Sequence, residues 1–175
     1  IFVGDIYDKD KEALTQVATK FKVPIEFFCL SDKHIEGLRE NYHLTIAAYY
    51  RWFAPDFIED QACLYLDADV IVTGSIKSLI ETKVDDYHLA AVENPGFDRH
   101  AQLGMEGSSK YFNSGVMLLN LDKWRHDNIK QRAILFAKEK QEGCPLLDQD
   151  ALNGIINGQW LKLDPTFNFQ SSMFS

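Results

Sequence analysis

Cysteine is scarce in this sequence and long apolar runs are absent from it, and both features exclude classes of protein. The 175 residues include three cysteines, Cys29, Cys63 and Cys144, which lie far apart and form no CxxC pair. An odd number cannot all pair internally, so we expect reduced thiols, no structural zinc site and a reducing compartment. Apolar runs such as Val116 to Leu119 are much shorter than the roughly 20 residues that a membrane span needs.

Basic residues are outnumbered by acidic ones, with 18 Lys+Arg against 26 Asp+Glu and a formal net charge of −8. This balance argues against nucleic acid or an anionic membrane surface as the default partner. The beginning of the chain is unlike a signal peptide, because acidic residues interrupt it and no basic segment comes first. Hydrophobic residues make up 46% and aromatic residues 13%, which is enough for one domain with a buried core.

Strand-like and helix-like segments alternate along the chain, which predicts an α/β domain with a largely parallel sheet. The predicted strands are Ile1–Val3, Ile25–Leu30, Ala62–Leu66, His88–Val92, Gly115–Leu121 and Trp160–Leu163. The predicted helices are one capped by Asp8 that buries Leu14, Val17, Ala18 and Phe21, one from Ile46 to Phe53 that stops near Pro55, one over Asp122–Lys140, and one capped by Asp148. The unbroken apolar run of the third strand is typical of a strand buried on both faces.

Two carboxylates, Asp67 and Asp69, come directly after the third predicted strand. Residues i and i+2 of an extended chain point to the same side, so we expect these carboxylates to converge. Converging acids repel unless a cation lies between them or one keeps its proton. Carboxylate oxygens favour Mg²⁺ or Mn²⁺, which often bind through one or two carboxylates and the phosphates of a substrate. A solvated turn is the alternative, but the apolar residues on both sides of the pair favour a metal site.

A hydrophobic strand that ends in Asp-x-Asp also resembles the haloacid-dehalogenase phosphatases, in which the first Asp is the nucleophile. In that alternative Asp67 would attack a phosphate in a Mg²⁺-dependent reaction, and Asp85-Asp86 would be the second acidic pair that such enzymes need. However, Asp85-Asp86 precedes a predicted strand instead of following one. The motif also lies far from the beginning of the chain, whereas those enzymes usually carry it near the start.

Three motifs in the same order resemble the family 8 glycosyltransferases, which include bacterial lipooligosaccharide galactosyl- and glucosyltransferases and, more distantly, glycogenin. The motifs are Tyr65–Val72 around Asp-x-Asp, Tyr111–Arg125 (YFNSGVMLLNLDKWR) and Leu147–Asn153 (LDQDALN). The resemblance implies a GT-A (Rossmann-like) fold with a mixed, mostly parallel sheet flanked by helices. It also implies a metal-dependent hexosyltransferase that moves glucose or galactose from a UDP-sugar to a saccharide with retention of anomeric configuration. The implied acceptor is a lipopolysaccharide, a lipooligosaccharide or another cell-surface glycan, and the implied location is the cytoplasm, including the inner face of the membrane.

The resemblance assigns roles to residues around the donor. Asp67 and Asp69 match the family's metal-binding Asp-x-Asp, which would hold Mn²⁺ or Mg²⁺. Arg51 matches an arginine that contacts the donor, although an Arg beside acids is often part of a structural ion pair. Asn94 falls near a position where the family often has Asp, and it is carried over as a substrate contact.

Two further segments match the family at the donor sugar. Asn113 and Gly115 match an Asn-x-Gly segment, which on its own would be only a turn before a strand. Asp148 and Gln149 match the pair that holds the sugar hydroxyls and the reacting face, and both are candidate catalytic residues. Retention requires either a covalent intermediate, with Asp148 or Asp150 as the nucleophile, or a front-face route, which we favour. In that route we expect the carbonyl oxygen of Gln149 to face the positive charge that develops on the sugar.

Parts of the family pattern lie outside this chain. A first strand with a uracil-contacting acidic segment is missing before Ile1, and a His-x-x-Gly-x-x-Lys-Pro-Trp segment with the third metal ligand is missing after Ser175. We therefore expect residues 1–175 to be a single glycosyltransferase domain without these parts, and activity to belong to the intact parent. The missing C-terminal segment is where peripheral membrane association is expected. A non-catalytic sugar-binding domain is the remaining alternative, but it is not favoured because the donor-site residues are all present.

Overall fold

The computed structural model describes residues 1–4, 6–38, 45–140 and 146–170. Its contacts divide the chain into two compact units, Ile1–Arg51 and Trp52–Ser175, and each is described by itself. The single domain expected from the sequence therefore stays a prediction.

The first unit contains a two-stranded parallel sheet and one long helix. Strand β1 (Phe2–Val3) pairs in parallel with β2 (Phe28–Cys29), and helix α1 (Asp8–Lys20) connects them. Parallel neighbours require a crossover connection of this kind. A short helix α2 (Asp32–Ile35) follows β2, and a 3₁₀ helix (Ile46–Phe53) coincides with the predicted aromatic helix.

Helix α1 forms where it is predicted, but its apolar stripe is not buried. Its N-cap is Tyr7, so Asp8 is the first helical residue and does not cap it. Leu14, Val17 and Phe21 are 38%, 56% and 67% exposed. The periodicity of a sequence identifies an apolar face, but burial needs another element on that face. The strands β1 and β2, with two residues each, offer too little surface to cover it.

The second unit is built on a four-stranded sheet with the order β3-β5-β4-β6. Its strands are β3 (Ala62–Leu66), β4 (Leu89–Glu93), β5 (Phe112–Asn120) and β6 (Leu161–Lys162). Strand β5 is antiparallel to both β3 and β4, whereas β4 and β6 are parallel. Within this sheet, β3, β4 and β6 therefore point the same way and β5 runs against them, as expected for a mixed, mostly parallel sheet.

Helices flank this sheet and complete its core. They are α3 (Ala54–Phe57), α4 (Lys77–Ile80), α5 (Leu121–His126), α6 (Ile129–Glu139), α7 (Leu147–Ile156) and two 3₁₀ helices, His100–Leu103 and Pro165–Phe167. The central strands are the most buried, and Ala90, Val92, Val116 and Leu118 pack with Leu79 of α4 on one face. None of the helices in the described ranges is long and apolar enough to cross a lipid bilayer.

Strand β3 is less buried than its apolar sequence predicts. Its middle three residues are half-buried, and Ala62 and Leu66 are exposed. In the described sheet β3 is an edge strand, which pairs with β5 alone. The expectation of burial on both faces is therefore wrong, because an edge strand is covered by fewer neighbouring elements than a central strand.

Two helix boundaries differ from the prediction. The helix expected over Asp122–Lys140 is split into α5 and α6 at Asn128, which has a left-handed φ of 53°. The helix predicted from Ile46 to Phe53 does end at Phe53, and Pro55 lies in the first turn of α3, where its missing N–H is not needed. Asp148 does not cap α7, since the N-cap is Leu146.

Candidate active site

Four predicted site residues of the second unit lie at one end of its sheet, where strands β3 and β4 end and β5 begins. Asp67 follows the end of β3, Asn94 follows the end of β4, and Asn113 and Gly115 belong to the beginning of β5. Because β5 runs against its two neighbours, its beginning lies beside both of their ends. The backbone N–H of Asp67 donates to the carbonyl of Gly115 at 2.9 Å, and that of Asn94 donates to Tyr111 at 2.8 Å.

The carboxylate of Asp67 lies close to Gly115. The hydroxyl of Tyr65 donates to Oδ1 of Asp67 at 2.8 Å and orients this carboxylate. A Cβ at residue 115 would lie 3.0 Å from Oδ2 of Asp67 and 3.0 Å from Oδ1 of Asn113, which is tighter than most real Cβ contacts. A side chain at residue 115 would need these two oxygens to move by a few tenths of an ångström, so glycine leaves them in place.

Asp67 and Asp69 lie on a turn, not on an extended segment. The N–H of Val70 donates to the carbonyl of Asp67 at 3.2 Å. Asp67 is half-buried and Asp69 is exposed. The premise that the two side chains project from an extended chain is therefore wrong. Pairing with β5 ends at Leu66, and the chain turns directly after it. The described residues contain no group of three or more His, Cys, Asp or Glu side chains that could hold a metal ion.

Buried polar side chains of α7 bind the beginning of β5. Asn153 accepts from the N–H of Phe112 at 2.8 Å and donates to its carbonyl at 3.0 Å. Gln149 accepts from the N–H of Ser114 at 2.8 Å, and Asp148 accepts from the Ser114 hydroxyl at 3.3 Å. Gln149 and Asn153 are one turn apart and therefore share a face of α7. Through their hydrogen bonds to Ser114, Asp148 and Gln149 connect α7 to β5, whereas an N-cap residue bonds to the backbone of its own helix.

The amide of Gln149 is held from two sides. Its carbonyl oxygen Oε1 accepts from the backbone N–H of Ser114 at 2.8 Å. Oε1 also lies 3.2 Å from the Ser114 hydroxyl, whose single proton is shared between Gln149 and Asp148. Its nitrogen Nε2 donates to the hydroxyl of Tyr111 at 3.1 Å. A buried backbone N–H needs an acceptor, and Gln149 supplies it for Ser114. Oε1 therefore already accepts from Ser114, and the expectation that it faces the positive charge on the sugar stays a prediction.

Asp150 is completely buried and both of its oxygens accept hydrogen bonds. Oδ1 accepts from the hydroxyl of Tyr111 at 2.7 Å, and Oδ2 accepts from the N–H of Leu146 at 2.8 Å. The guanidinium of Arg99 lies 3.9 Å from Oδ1. Burial, followed by the neighbouring carboxylate of Asp150, raises the pKa of Tyr111 far above its usual value. The hydroxyl therefore keeps its proton at any working pH.

Tyr111, Ser114 and Asn153 also belong to this hydrogen-bonded cluster, although they were not predicted as site residues. Tyr111 and Ser114 lie inside the quoted second motif, and Asn153 closes the third motif. A signal was present, because polar residues 149, 150 and 153 recur at helical spacing where an apolar face is expected. What the spacing does not reveal is the partner of each side chain on β5.

The other predicted contacts are placed as follows. Asn113 lies within β5 and not in a turn before it, and its Oδ1 accepts from the N–H of Gly115 and from Nδ2 of Asn168, both at 2.8 Å. Asn94 is half-buried. Arg51 is buried in the first unit, where its Nε donates to the carbonyl of Ala48 at 2.9 Å. A contact of Arg51 with the donor stays a prediction.

The sequence matches a known family along its whole length. The family model described as Glycosyl transferase family 8 matches residues 1–175. General stress protein A of Bacillus subtilis (strain 168) is 37% identical over 174 residues, which is 96% of this chain and 61% of that protein. Lipopolysaccharide 1,3-galactosyltransferase of Salmonella typhimurium (strain LT2) is 30% identical over 180 residues, which is 97% of this chain and 53% of that protein.

A solved structure agrees with the sequence comparisons. The crystal structure of galactosyltransferase LgtC in complex with donor and acceptor sugar analogs matches with a TM-score of 0.90 at 27% identity. The match covers 98% of this chain and 64% of that chain. This likeness confirms the predicted GT-A fold. In each of these three comparisons, the chain spans less than two thirds of the length of the other protein.

Proposed function

The chain belongs to glycosyl transferase family 8, and on this premise we propose that the intact protein transfers glucose or galactose from a UDP-sugar to a saccharide acceptor, with retention of configuration. One observation supports the proposal most directly. Asp67, Gly115 and the buried pair Asp148-Gln149 lie together at the end of the sheet where β3 ends and β5 begins. Ligands of α/β sheets commonly bind outside the carboxyl ends of strands. We propose a lipopolysaccharide or another cell-surface glycan as the acceptor, because one of the relatives named above is a lipopolysaccharide galactosyltransferase.

The proposed cofactor is a divalent cation, Mn²⁺ or Mg²⁺, held by Asp67 and Asp69. Their carboxylate oxygens fit such a hard cation, and the glycine at 115 keeps side-chain atoms away from Oδ2 of Asp67. The hydroxyl of Tyr65 orients the Asp67 carboxylate from the other oxygen. When bound, the cation would neutralise charge on the departing nucleoside diphosphate.

Asp148 and Gln149 are proposed to hold the donor sugar. Both are anchored to Ser114, and rigid placement of such groups supplies much of the rate enhancement in transfer reactions. The second amide hydrogen of Gln149 has no acceptor among the described residues, so it is the group that we assign to the sugar or its leaving oxygen. Because both oxygens of Asp150 accept hydrogen bonds, the geometry favours the front-face route over a covalent intermediate at Asp150.

The phosphatase alternative is not supported by the fold. Asp85 and Asp86 precede β4, whereas Asp67 follows β3. Strands β3 and β4 point the same way, so these acids lie at opposite ends of the sheet. A strand of five residues separates its ends by about 17 Å, which is too far for the two acidic pairs to share one metal ion.

A donor screen on the intact protein tests the proposal. The protein is incubated with Mn²⁺ and either UDP-glucose or UDP-galactose, and both UDP release and hexose transfer to an extracted glycan are measured. We expect release from at least one donor, and release slower by about two to three orders of magnitude in Asp67→Asn. A wild-type protein that binds donor without releasing UDP would instead be the non-catalytic sugar-binding domain.

The proposed place of action is the cytoplasm, at the inner face of the membrane. A glycan acceptor attached to lipid would require this location. Fractionation of cells that express the intact protein tests it, because a peripheral protein leaves the membrane fraction in high salt.

A further inference from the structure

We infer that Asp150 is a positioning residue, which fixes the orientation of the Gln149 amide through the hydroxyl of Tyr111. This inference rests on the function proposed above, because it concerns how a residue assigned to the donor sugar is aimed. Asp150 is fully buried. Among the described residues, no hydrogen bond joins its side chain directly to that of Gln149. It acts on Gln149 through one intermediate group.

The direction of each hydrogen bond follows from what each group can do. A carboxylate accepts and does not donate, so the single proton of the Tyr111 hydroxyl is committed to Asp150 at 2.7 Å. The same hydroxyl oxygen then has only acceptor capacity to offer Gln149. It receives Nε2 at 3.1 Å, and the amide must turn its nitrogen toward Tyr111.

Ser114 imposes the same orientation from the opposite side. Its backbone N–H can only donate, and it points to the carbonyl oxygen of Gln149 at 2.8 Å. A flipped amide would place a donor against this N–H and an acceptor against the acceptor oxygen of Tyr111. The two constraints come from different partners, so the orientation of Gln149 is determined twice.

The burial of Asp150 needs a reason beyond packing. A buried carboxylate is costly unless its oxygens are hydrogen-bonded, and here a Tyr hydroxyl and the N–H of Leu146 satisfy them. Arg99 lies 3.9 Å away and adds a favourable charge. An apolar residue would fill the space at lower cost, but it would leave the proton of Tyr111 uncommitted. The carboxylate is therefore what makes Tyr111 an acceptor toward Gln149.

The variant Asp150→Asn separates this role from simple packing. An Asn of the same shape can donate to Tyr111, which releases the phenolic proton toward Gln149 and removes one of the two constraints on the amide, leaving only the one from Ser114. Tyr111→Phe removes the same link with a smaller polar change and remains informative if Asp150→Asn unfolds. The matched control is Asp127→Asn, which removes a carboxylate that accepts from His88 and His126 near the other end of the sheet.

Kinetics on the intact protein give the first test. We expect Asp150→Asn and Tyr111→Phe to lower kcat by about ten- to a hundredfold, with the KM for the UDP-sugar changed by less than about threefold. Asp127→Asn should leave both unchanged. In a Gln149→Ala background, Asp150→Asn should cause no further loss, because the residue that it aims is absent. An equal further loss in that background would show a merely structural role and overturn the inference.

A readout independent of activity distinguishes the inference from the proposed function. In protein labelled with ¹⁵N-glutamine, the side-chain signal of Gln149 is identified by its disappearance in Gln149→Ala. We expect this signal to shift and its amide hydrogens to exchange faster with water in Asp150→Asn and Tyr111→Phe, but not in Asp127→Asn. An unchanged signal would refute the positioning role even if transfer is observed. If the wild type transfers no sugar, the proposed function fails, and the signal still decides the orientation of the amide.

Discussion

A backbone hydrogen bond of 2.9 Å joins Asp67, directly after β3, to Gly115 of β5, from the Asp67 N–H to the Gly115 carbonyl. The same pairing brings the Asp67 carboxylate over the Cα of Gly115, where a Cβ would lie 3.0 Å from Oδ2. The space in front of this carboxylate therefore depends on a residue that is far away in sequence. Strand pairing, and not the motif spacing, accounts for the glycine.

This relationship predicts that Gly115→Ala displaces the carboxylate of Asp67 without unfolding the protein. We expect the affinity for Mn²⁺, measured by calorimetry, to fall about tenfold, in the range seen when groups that orient metal ligands are altered. Gly74→Ala is the control, because a Cβ at residue 74 would meet nothing within 4 Å. Equal Mn²⁺ affinity in the two variants would contradict the steric argument.

The metal assignment predicts a larger effect for Asp67→Asn. The change removes one charge of the proposed clamp, so transfer should fall by about two to three orders of magnitude while the circular dichroism spectrum stays unchanged. Asp85→Asn, at the other end of the sheet, should retain full transfer. If Mn²⁺ affinity and turnover survive in Asp67→Asn, the metal assignment is wrong. Release of phosphate from phosphomonoesters, or trapping of Asp67 by beryllofluoride, would support the phosphatase instead.

The assignment of Gln149 to the donor sugar predicts a split between kinetic constants. Gln149→Ala should lower kcat by about a hundredfold and leave donor KM nearly unchanged, because stabilisation is lost mainly in the transition state. Gln149→Glu places a carboxylate beside the sugar, which can capture it covalently. Mass spectrometry would then find an added hexose on the variant. Such an adduct on wild-type Asp148 or Asp150 would rule out the front-face route, and full activity of Gln149→Ala would remove the residue from the site.

The cluster around Asp127 predicts a pH-dependent stability that is separate from activity. Hydrogen bonds, first from His126 and then from His88, lower the pKa of Asp127 from 3.8 to about 2. A lowered folded-state pKa contributes stability that is fully present above the unfolded value and is lost as the pH falls through the folded value. The urea midpoint of wild type should therefore exceed that of Asp127→Asn at pH 6, and the difference should narrow between pH 3.8 and about 2. A difference that stays constant over this interval would contradict the assignment.

Local sequence patterns were sufficient for most of the strands and for the places of the candidate residues along them. The strand predicted at His88–Val92 is observed at Leu89–Glu93, and Asp67 and Asp69 follow β3 as expected. These features depend on side-chain period and on residues adjacent in the chain. The same patterns failed for Asp148, which was expected to cap α7. The N-cap is Leu146 instead, because the cap position depends on where the chain enters the helix.

Other properties depend on contacts between distant segments. The exposure of Val17 on α1 and the half-buried state of β3 depend on which elements cover them, which no local pattern specifies. The orientation of the Gln149 amide is the clearest case, because its partners Ser114 and Tyr111 lie 35 and 38 residues away. The sequence by itself determined the family, the order of strands and helices and the residues available for chemistry. The tertiary structure alone decided which hydrogen bonds those residues make, since a donor or acceptor is assigned only when its partner has been brought within reach.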